Sequence, residues 1–345
     1  MTRNKGAINV ALMAAYGPSA KVCLIGLLLA AVFCLALTTG AVGISLTTLL
    51  QGDASALEIT VFSEIRSVRV LLAGCVGAVL GLAGASLQGL FRNPLADPGL
   101  IGVSSGAALG AVSMIVLGDS LGLPDSVRPY ALQLAAVSGA LGVTFFLYSF
   151  SSWFGHFSIV TLLLVGIAVN ALSTVGIGAF EYLANDRQLR SLVFWMMGSF
   201  GRSQWDSTLP AMILMFLASC ILLTQARPLN ALQLGESDAR YLGVNVKRLK
   251  RATIVGSAVA VGAGVALSGI VGFVGLIVPH LVRLIVGPSH LYLLPGAALL
   301  GAAITIAADL LARTIITPAE LPVSLVTSAL GAPFFLWLVA RVRPA

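Results

Sequence analysis

A serine inside a short glycine pattern is the first residue to test for chemistry. Residues 102–106, GVSSG, fit the pattern G-x-S-x-G, which holds a nucleophilic serine on the strand-to-helix turn of some hydrolases. That chemistry also needs a histidine and an acid beside the serine, and here the pattern opens a long apolar run. The context favours a packing role, and an intramembrane hydrolase with Ser104 as nucleophile is kept as an alternative.

Metal, redox and nucleotide chemistry find no support in the residue spacing. His156, His280 and His290 show no metal-ligand spacing, and the four cysteines lie in apolar runs without a C-x-x-C pair. No lysine follows a glycine, so the chain has no phosphate-binding P-loop. These observations predict no catalytic residue, no metal site, no permanently bound cofactor and no ATPase site on this chain.

The composition shows what kind of elements must carry any function. Of 345 residues, 58% are hydrophobic and only 10% are charged, against roughly 25% charged residues in a soluble domain. The mean hydropathy is +1.00. A chain with so few polar residues cannot cover the surface of soluble domains, and disordered and disulfide-scaffold classes fail on the same numbers. The sequence predicts an all-α polytopic membrane protein.

Ten apolar segments are long enough, or nearly so, to cross a bilayer core, which takes roughly 20 helical residues. They are residues 22–44, 68–90, 101–118, 130–150, 158–183, 208–226, 252–271, 273–287, 293–312 and 322–340. Ten spans leave little room for an extramembrane domain, so residues 1–345 are expected to form one transmembrane domain. Any soluble machinery must then belong to a separate chain.

The distribution of charge predicts the orientation. With an even number of spans both termini lie on one side, and that side holds 13 basic and three acidic residues, while the other holds seven and ten. The sides carry +10 and −3, and the positive-inside rule makes the first side cytoplasmic. We expect a cytoplasmic tail at 1–21 and a large cytoplasmic segment at 227–251. The basic run at 247–251 directly precedes a span, so topology explains it without a nucleic-acid partner.

The predicted spans are rich in small residues and have few charged residues at their centres. Gly74, Gly77, Gly81 and Gly84 share one helix face, a spacing that lets backbones approach closely within one subunit or at a dimer seam, and packing within the subunit is favoured. No span centre offers a relay of acids or histidines of the kind that proton-coupled carriers use. This absence argues against a secondary transporter, which is kept as an alternative.

Several longer motifs point to one family. They are FRNPLADPG at 91–99, GVSSGA at 102–107, LGESDARYLGV at 234–244, GFVGLIVPHLVR at 272–283, ELPV at 320–323 and GAPFF at 331–335. In this order they resemble the FecCD family, the permease subunits of ABC importers for iron–siderophores, haem and vitamin B12. The resemblance runs from about residue 64 to the C-terminus.

This resemblance implies an architecture and a set of partners. The family has ten transmembrane helices in a fold like that of the vitamin B12 importer, a type II ABC importer, with an inverted repeat. Two copies form a homodimer with the pathway on its axis. Two ATP-binding cassette subunits bind ATP on the cytoplasmic side, and a periplasmic substrate-binding protein docks on the other. The resemblance therefore implies alternating access in the bacterial inner membrane, driven by ATP hydrolysis on partner chains.

By the same resemblance, one polar segment is the coupling helix that seats in a cleft on the ATPase. Its candidate residues are Leu234, Gly235, Glu236, Asp238, Ala239, Arg240, Leu242 and Gly243. The composition of residues 235–243 suits a short helix that exposes Glu236, Asp238 and Arg240. A solvated basic loop without a partner is the alternative.

Three arginines at the predicted periplasmic side match positions that pair with acids of the binding protein in the family. Arg66 and Arg69 lie three apart just before the second predicted span, and Arg313 ends the ninth. Exposed rim charges steer encounter and fix orientation, which favours docking. Contact with lipid headgroups, or with Glu64 and Asp309, is the alternative.

The substrate is predicted from residues 181–199, which look most like the haem-importing branch. Arg187 and Arg190, doubled by a two-fold axis, could guide haem propionates because arginine pairs well with carboxylates. Trp195 belongs to the same candidate pathway. The arginines could equally pair with the negative charge of a ferric siderophore. Residues 201–204 also differ from the sequence expected in the haem-importing branch. Haem is therefore the expected substrate, with a ferric siderophore or vitamin B12 as alternatives.

Overall fold

The computed structural model describes residues 17–40, 43, 47, 51–153, 159–317 and 319–341, so His156 and residues 1–16 of the expected tail lie outside the described part. No β-strand occurs in these residues. Their helices are α1 Pro18–Thr38, α2 Ala56–Phe91, α3 Val103–Leu117, α4 Ala131–Trp153, α5 Ile159–Leu183, α6 Asp186–Met196, α7 Trp205–Thr224, α8 Ala226–Leu232, α9 Glu236–Tyr241, α10 Val246–Ser268, α11 Val274–Val286, α12 His290–Thr314 and α13 Val323–Arg341.

The prediction of an all-α fold is confirmed, and each of the ten predicted spans overlaps one of these helices. In the described part of the chain, eight helices are long and apolar enough to cross a membrane, and α11 and α13 are shorter apolar helices. The first span is displaced from 22–44, because α1 begins at Pro18, with proline in its first turn, and ends at Thr38. Lys21 therefore belongs to α1 and not to a tail.

The long central helix α2 begins twelve residues before the predicted start of its span. Ser55 caps it, because its hydroxyl accepts from the Glu58 N–H while the Glu58 carboxylate accepts from the Ser55 N–H. A π-helical turn follows at Val61–Arg66. Because the helix starts this early, Arg66 and Arg69 lie inside it and not in front of it, which corrects their predicted position.

Glycines bring α2 and α12 into backbone contact. A Cβ at Gly77 would overlap the carbonyl oxygen of Gly301, and a Cβ at Gly301 would overlap that of Gly77. Gly81 meets the Ala297 carbonyl in the same way. Gly106 and Gly139 form the matching contact between α3 and α4. The preference for small-residue packing inside one subunit over a dimer seam is confirmed at these positions.

We expect Gly77→Ala to destabilise the protein by about 1–3 kcal/mol, because the new methyl group forces the α2–α12 backbones apart. The matched control is Gly142→Ala, since no atom of the described residues lies within 4 Å of a Cβ placed at that helical glycine. Thermal unfolding of the two variants in detergent measures the difference. Equal midpoints would contradict the close-packing argument.

The helices of the bundle meet at two opposite ends, the Arg69 end and the Tyr241 end. The Arg69 end is where α1 ends and where α2 and α13 begin. The Tyr241 end is where α2 ends, where α12 begins and where α8 and α9 lie. At the Tyr241 end, α10 starts at Val246, because the Asn245 side chain accepts from the Arg248 N–H and caps the helix. The basic run at 247–251 therefore forms the first turns of α10, ahead of the apolar part of that helix.

Candidate functional site

A short helix projects at the Tyr241 end, inside the segment expected to bind the ATPase. Helix α9, Glu236–Tyr241, lies between Gly235 and Gly243, whose φ values of 126° and 82° are left-handed values that glycine adopts without strain. Ala239 is fully buried, and its carbonyl accepts from the Val244 N–H at 2.9 Å. The expected short helix within 235–243 is therefore present, and Ala239 is its packing residue.

The outer face of this segment is both apolar and charged. Tyr241 is 91% exposed, Leu234 65% and Leu242 63%. Asp238 and Arg240 are exposed beside them, as predicted. Large apolar side chains at the tip of a loop gain free energy only when another surface covers them, so this face is suited to insertion into a cleft of a partner.

A buried lysine braces this helix from behind. Lys250 on α10 is 8% exposed, and its Nζ lies 2.5 Å from Oε1 of Glu236. Glu236 Oε2 is also 3.7 Å from Nη2 of Arg240. Glu236 is thus half-buried and paired, and the prediction that it is exposed is wrong. Sequence reasoning missed Lys250, since a basic residue near a span is normally a topology signal.

The motifs at 91–99 and 102–107 build a junction inside the bundle. The Asp97 carboxylate accepts from the Gly99 N–H at 2.7 Å and lies next to Gly275 at the start of α11. Burial raises the pKa of the Asp97 carboxyl, and the Gly99 hydrogen bond opposes that rise. Asn170 on α5 donates to the Gly99 carbonyl at 3.1 Å and accepts from the Ser105 hydroxyl at 2.6 Å.

The serine pattern thus serves packing and loop placement. Within the described residues no histidine makes a hydrogen bond to Ser104 or Ser105, so the geometry of a hydrolytic triad is not found there. The glycines of the pattern act through shape, since Gly102 adopts a φ of 77° and Gly106 contacts α4.

A charge cluster lies at the Arg69 end. Arg69 Nε lies 3.1 and 3.0 Å from the two carboxylate oxygens of Asp309, and Nη2 lies 2.9 Å from Oδ1. Arg69 Nη1 donates to Glu320 Oε1 at 2.7 Å. Arg69 is 7% exposed and Asp309 1%, so this ion pair is buried and joins α2 to α12.

The other two arginines of the predicted docking set join the same cluster. Arg66 is 4% exposed and donates to the carbonyls of Leu37 and Thr38 at 3.1 and 3.0 Å. The Arg313 side chain is buried, donates to the Ala36 carbonyl and has its Nε 3.8 Å from Asp309 Oδ2. The three arginines tie α1, α2 and α12 together. Their expected position at an exposed rim is wrong, while their part in docking stays a prediction.

Glu320 is the accessible member of this cluster. Its side chain is 46% exposed and lies in the connection between α12 and α13. The hydrogen bond from Arg69 lowers the pKa of the Glu320 carboxyl. Since the folded-state pKa is depressed, the stability from this pair is present at neutral pH and is lost as the pH falls through that lowered value.

The candidate substrate residues lie on α6 but in two different surroundings. Asn185 and Gln188 cap the helix reciprocally, and Gln188 Nε2 donates to the Val116 carbonyl of α3 at 3.0 Å. Arg187 and Arg190 are exposed, whereas Trp195 is 8% exposed. The structure therefore does not bring the tryptophan and the two arginines to one contact surface.

Trp195 lines a cavity of about 180 Å³ at the Arg69 end. Its lining is mixed, with Phe194, Ser199, Arg202, Ser268 and Glu320 among its residues. Arg187 and Arg190 are not part of this lining. Arg202 and Glu320 were missed by sequence reasoning as members of one site, because they are far apart in the chain and only the fold brings them together.

The sequence matches the FecCD transport family over residues 28–341. The chain belongs to the FecCD transport family. The hemin transport system permease protein HmuU of Yersinia pestis is 48% identical over 305 residues, covering 88% of this chain and 90% of HmuU. The cobalamin import system permease protein BtuC of Halobacterium salinarum is 44% identical over 279 residues, covering 81% of this chain and 73% of that protein.

A solved structure supports the same assignment for the fold of this FecCD permease. It shows an inward-facing conformation of a metal-chelate type ABC transporter, with a TM-score of 0.81 and 36% identity. The match covers 93% of this chain and 99% of the other. The predicted family and the importer-permease fold are therefore confirmed, and the chain is a membrane-spanning permease of that class.

Proposed function

We propose that this FecCD permease works by alternating access, driven by ATP hydrolysis on two separate ATP-binding cassette subunits. The observation that carries the proposal is α9, a braced helix with an exposed apolar and charged face at the Tyr241 end. A chain without a P-loop needs an external source of energy. The single domain over 1–345 then acts as a homodimer in a bacterial inner membrane.

The orientation belongs to the same proposal. The Tyr241 end is cytoplasmic, with both termini and the segment 227–251, because that side carries the larger number of lysines and arginines. The Arg69 end then faces the periplasm, where the substrate-binding protein docks. Glu320 is the half-exposed partner of Arg69, and a carboxylate of the binding protein could replace it there.

Haem is the substrate that we propose. The 48% identity to a hemin permease over 88% of the chain supports it, and so do Arg187 and Arg190, which are exposed on α6. Two copies of each arginine around a dimer axis suit the two propionates of haem. A ferric siderophore or vitamin B12 is the second candidate, favoured by the 44% identity to a cobalamin permease.

The test reconstitutes the permease with its ATPase and binding protein in lipid nanodiscs. We expect the haem-loaded binding protein to stimulate ATP hydrolysis more than the same protein empty, or than binding proteins loaded with a ferric siderophore or cobalamin. Stronger stimulation of ATP hydrolysis by another ligand would overturn the proposal of haem as substrate. It would leave the assignment to the importer class intact. Uptake by the purified permease alone in an ion gradient would instead indicate a secondary transporter.

A further inference from the structure

Two amide side chains connect the segment that carries α9 to the ends of two other helices. Asn230 on α8 accepts from the His290 N–H at 2.8 Å through Oδ1, and the same oxygen lies 2.9 Å from Nδ1 of the His290 ring. Its Nδ2 lies 3.3 Å from the Ser289 hydroxyl. Asn230 therefore contacts the first residues of α12.

Asn230 occupies the place of a helix cap. Helix α12 begins at His290 after Ser289, and the Ser289 side chain makes no capping hydrogen bond to it. The first N–H groups of a helix have no partner within the helix and need an acceptor from outside. Here the acceptor is the Asn230 side chain on α8, which takes the role that the side chain of an N-cap serine such as Ser289 usually fills.

Gln233 makes the corresponding bond to α2. Its Nε2 donates to the Gly89 carbonyl at 2.9 Å, in the last turn of α2, where carbonyls lack helical partners. The buried His290 ring packs directly against Gly89, where a Cβ would overlap its Nε2. The end of α2, the start of α12 and α8 thus meet at one point.

The two helices joined at this point also contact each other near their middle and at the Arg69 end. Gly77 and Gly301 hold α2 and α12 in backbone contact near the middle, and the Arg69–Asp309 pair holds them at the Arg69 end. From His290 to Asp309 the helix spans about 28 Å at 1.5 Å per residue. These contacts favour movement of α2 and α12 together.

We propose that Asn230 and Gln233 are positioning residues that transmit movement of the ATPase-bound segment to α2 and α12 as one unit. This inference rests on the proposed function. If α8 moved without the helices, the His290 N–H would lose its cap and the Gly89 carbonyl would lose its stronger partner, since its bond from the Arg92 N–H is 3.4 Å long. The helices therefore follow α8.

The experiment compares ATP hydrolysis with substrate uptake in proteoliposomes that contain the whole complex. The variants are Asn230→Leu, which removes the cap, Gln233→Leu, which removes the α2 bond, and Asn230→Asp, which keeps the acceptor oxygen. The matched control is Gln225→Leu, because within the described residues the Gln225 amide bonds only to Ile221 and Thr224 of its own helix end. Size-exclusion chromatography confirms that each complex is assembled.

We expect Asn230→Leu and Gln233→Leu to lower the number of substrate molecules moved per ATP by about tenfold, within the range of coupling between linked sites. Asn230→Asp should retain the wild-type ratio, and Gln225→Leu should not change it. An unchanged ratio in both Leu variants, or an equal loss in Asn230→Asp or Gln225→Leu, would overturn the inference. If Asn230→Leu does not assemble, Gln233→Leu and Asn230→Asp decide. Failure of the wild-type complex to transport on ATP would instead count against the proposed function.

Discussion

Replacing Asp309 by asparagine should destabilise the protein by about 3–5 kcal/mol, the cost of leaving a buried charge without its partner. Asp309 is the shared counter-ion of Arg69 and Arg313, and all three side chains are buried. The amide keeps the size of the carboxylate but loses its charge. The measurement is the thermal unfolding midpoint of the purified permease in detergent, read by tryptophan fluorescence.

Glu320→Gln is the matched control, since Arg69 bonds to both acids but Glu320 is half-exposed. Exposed ion pairs contribute roughly 0–1 kcal/mol, so this variant should unfold close to the wild type. A double variant, Arg69→Met with Asp309→Asn, should recover part of the loss, because the buried arginine no longer lacks a partner. Equal destabilisation by Asp309→Asn and Glu320→Gln would contradict the assigned roles.

The span pattern could be predicted because the bilayer imposes it. A helix must bury its backbone over the full thickness of the hydrocarbon core, so each span needs a long apolar run that is visible in the sequence. The ends were harder, because they depend on individual caps. Ser55 and Asn245 start α2 and α10 well before the apolar runs begin, and polar residues in those first turns resemble loop sequence.

The arginine cluster could not be predicted as buried. Arg69 meets Asp309 and Glu320 across 240 and 251 residues of chain, and nothing local to Arg69 indicates either partner. From sequence alone, an arginine near the end of a span is expected at the exposed rim. Only the fold shows that an acidic partner lies beside it. The sequence offered Asp309 only as an alternative partner of these arginines. The structure shows that Asp309 pairs with Arg69.

The extent of the proposed coupling segment could be predicted from the sequence, but the contacts that support it could not. Its glycines and acidic residues mark a short helix between two turns, and α9 lies inside the expected 235–243. The Lys250 brace was not visible, because a lysine in a basic run has no signature of burial. The amide contacts of Asn230 and Gln233 join elements that are about 60 and 144 residues apart, so only the fold reveals them.

Removing the two exposed apolar side chains of the coupling segment should weaken binding of the ATPase subunit strongly. Tyr241 and Leu242 project from the end of α9 with 91% and 63% exposure, on a helix that Lys250 and Ala239 hold in place. Aromatic anchors of this kind contribute at least about 2 kcal/mol of binding free energy. Their loss raises the dissociation constant roughly 30-fold. The double variant Tyr241→Ala, Leu242→Ala should therefore bind the ATPase roughly 30-fold more weakly while it still folds.

The chain contains a matched control at the opposite end of the bundle. Tyr182 and Leu183 are the same residue pair at the end of α5, with 90% and 67% exposure. Tyr182→Ala with Leu183→Ala removes the same pair of exposed side chains without touching the Tyr241 end. Binding is measured by titrating the purified ATPase onto nanodisc-embedded permease. We expect the control to bind like the wild type, and deletion of 235–243 to abolish binding. If the deletion variant still bound the ATPase, α9 would not be the coupling helix.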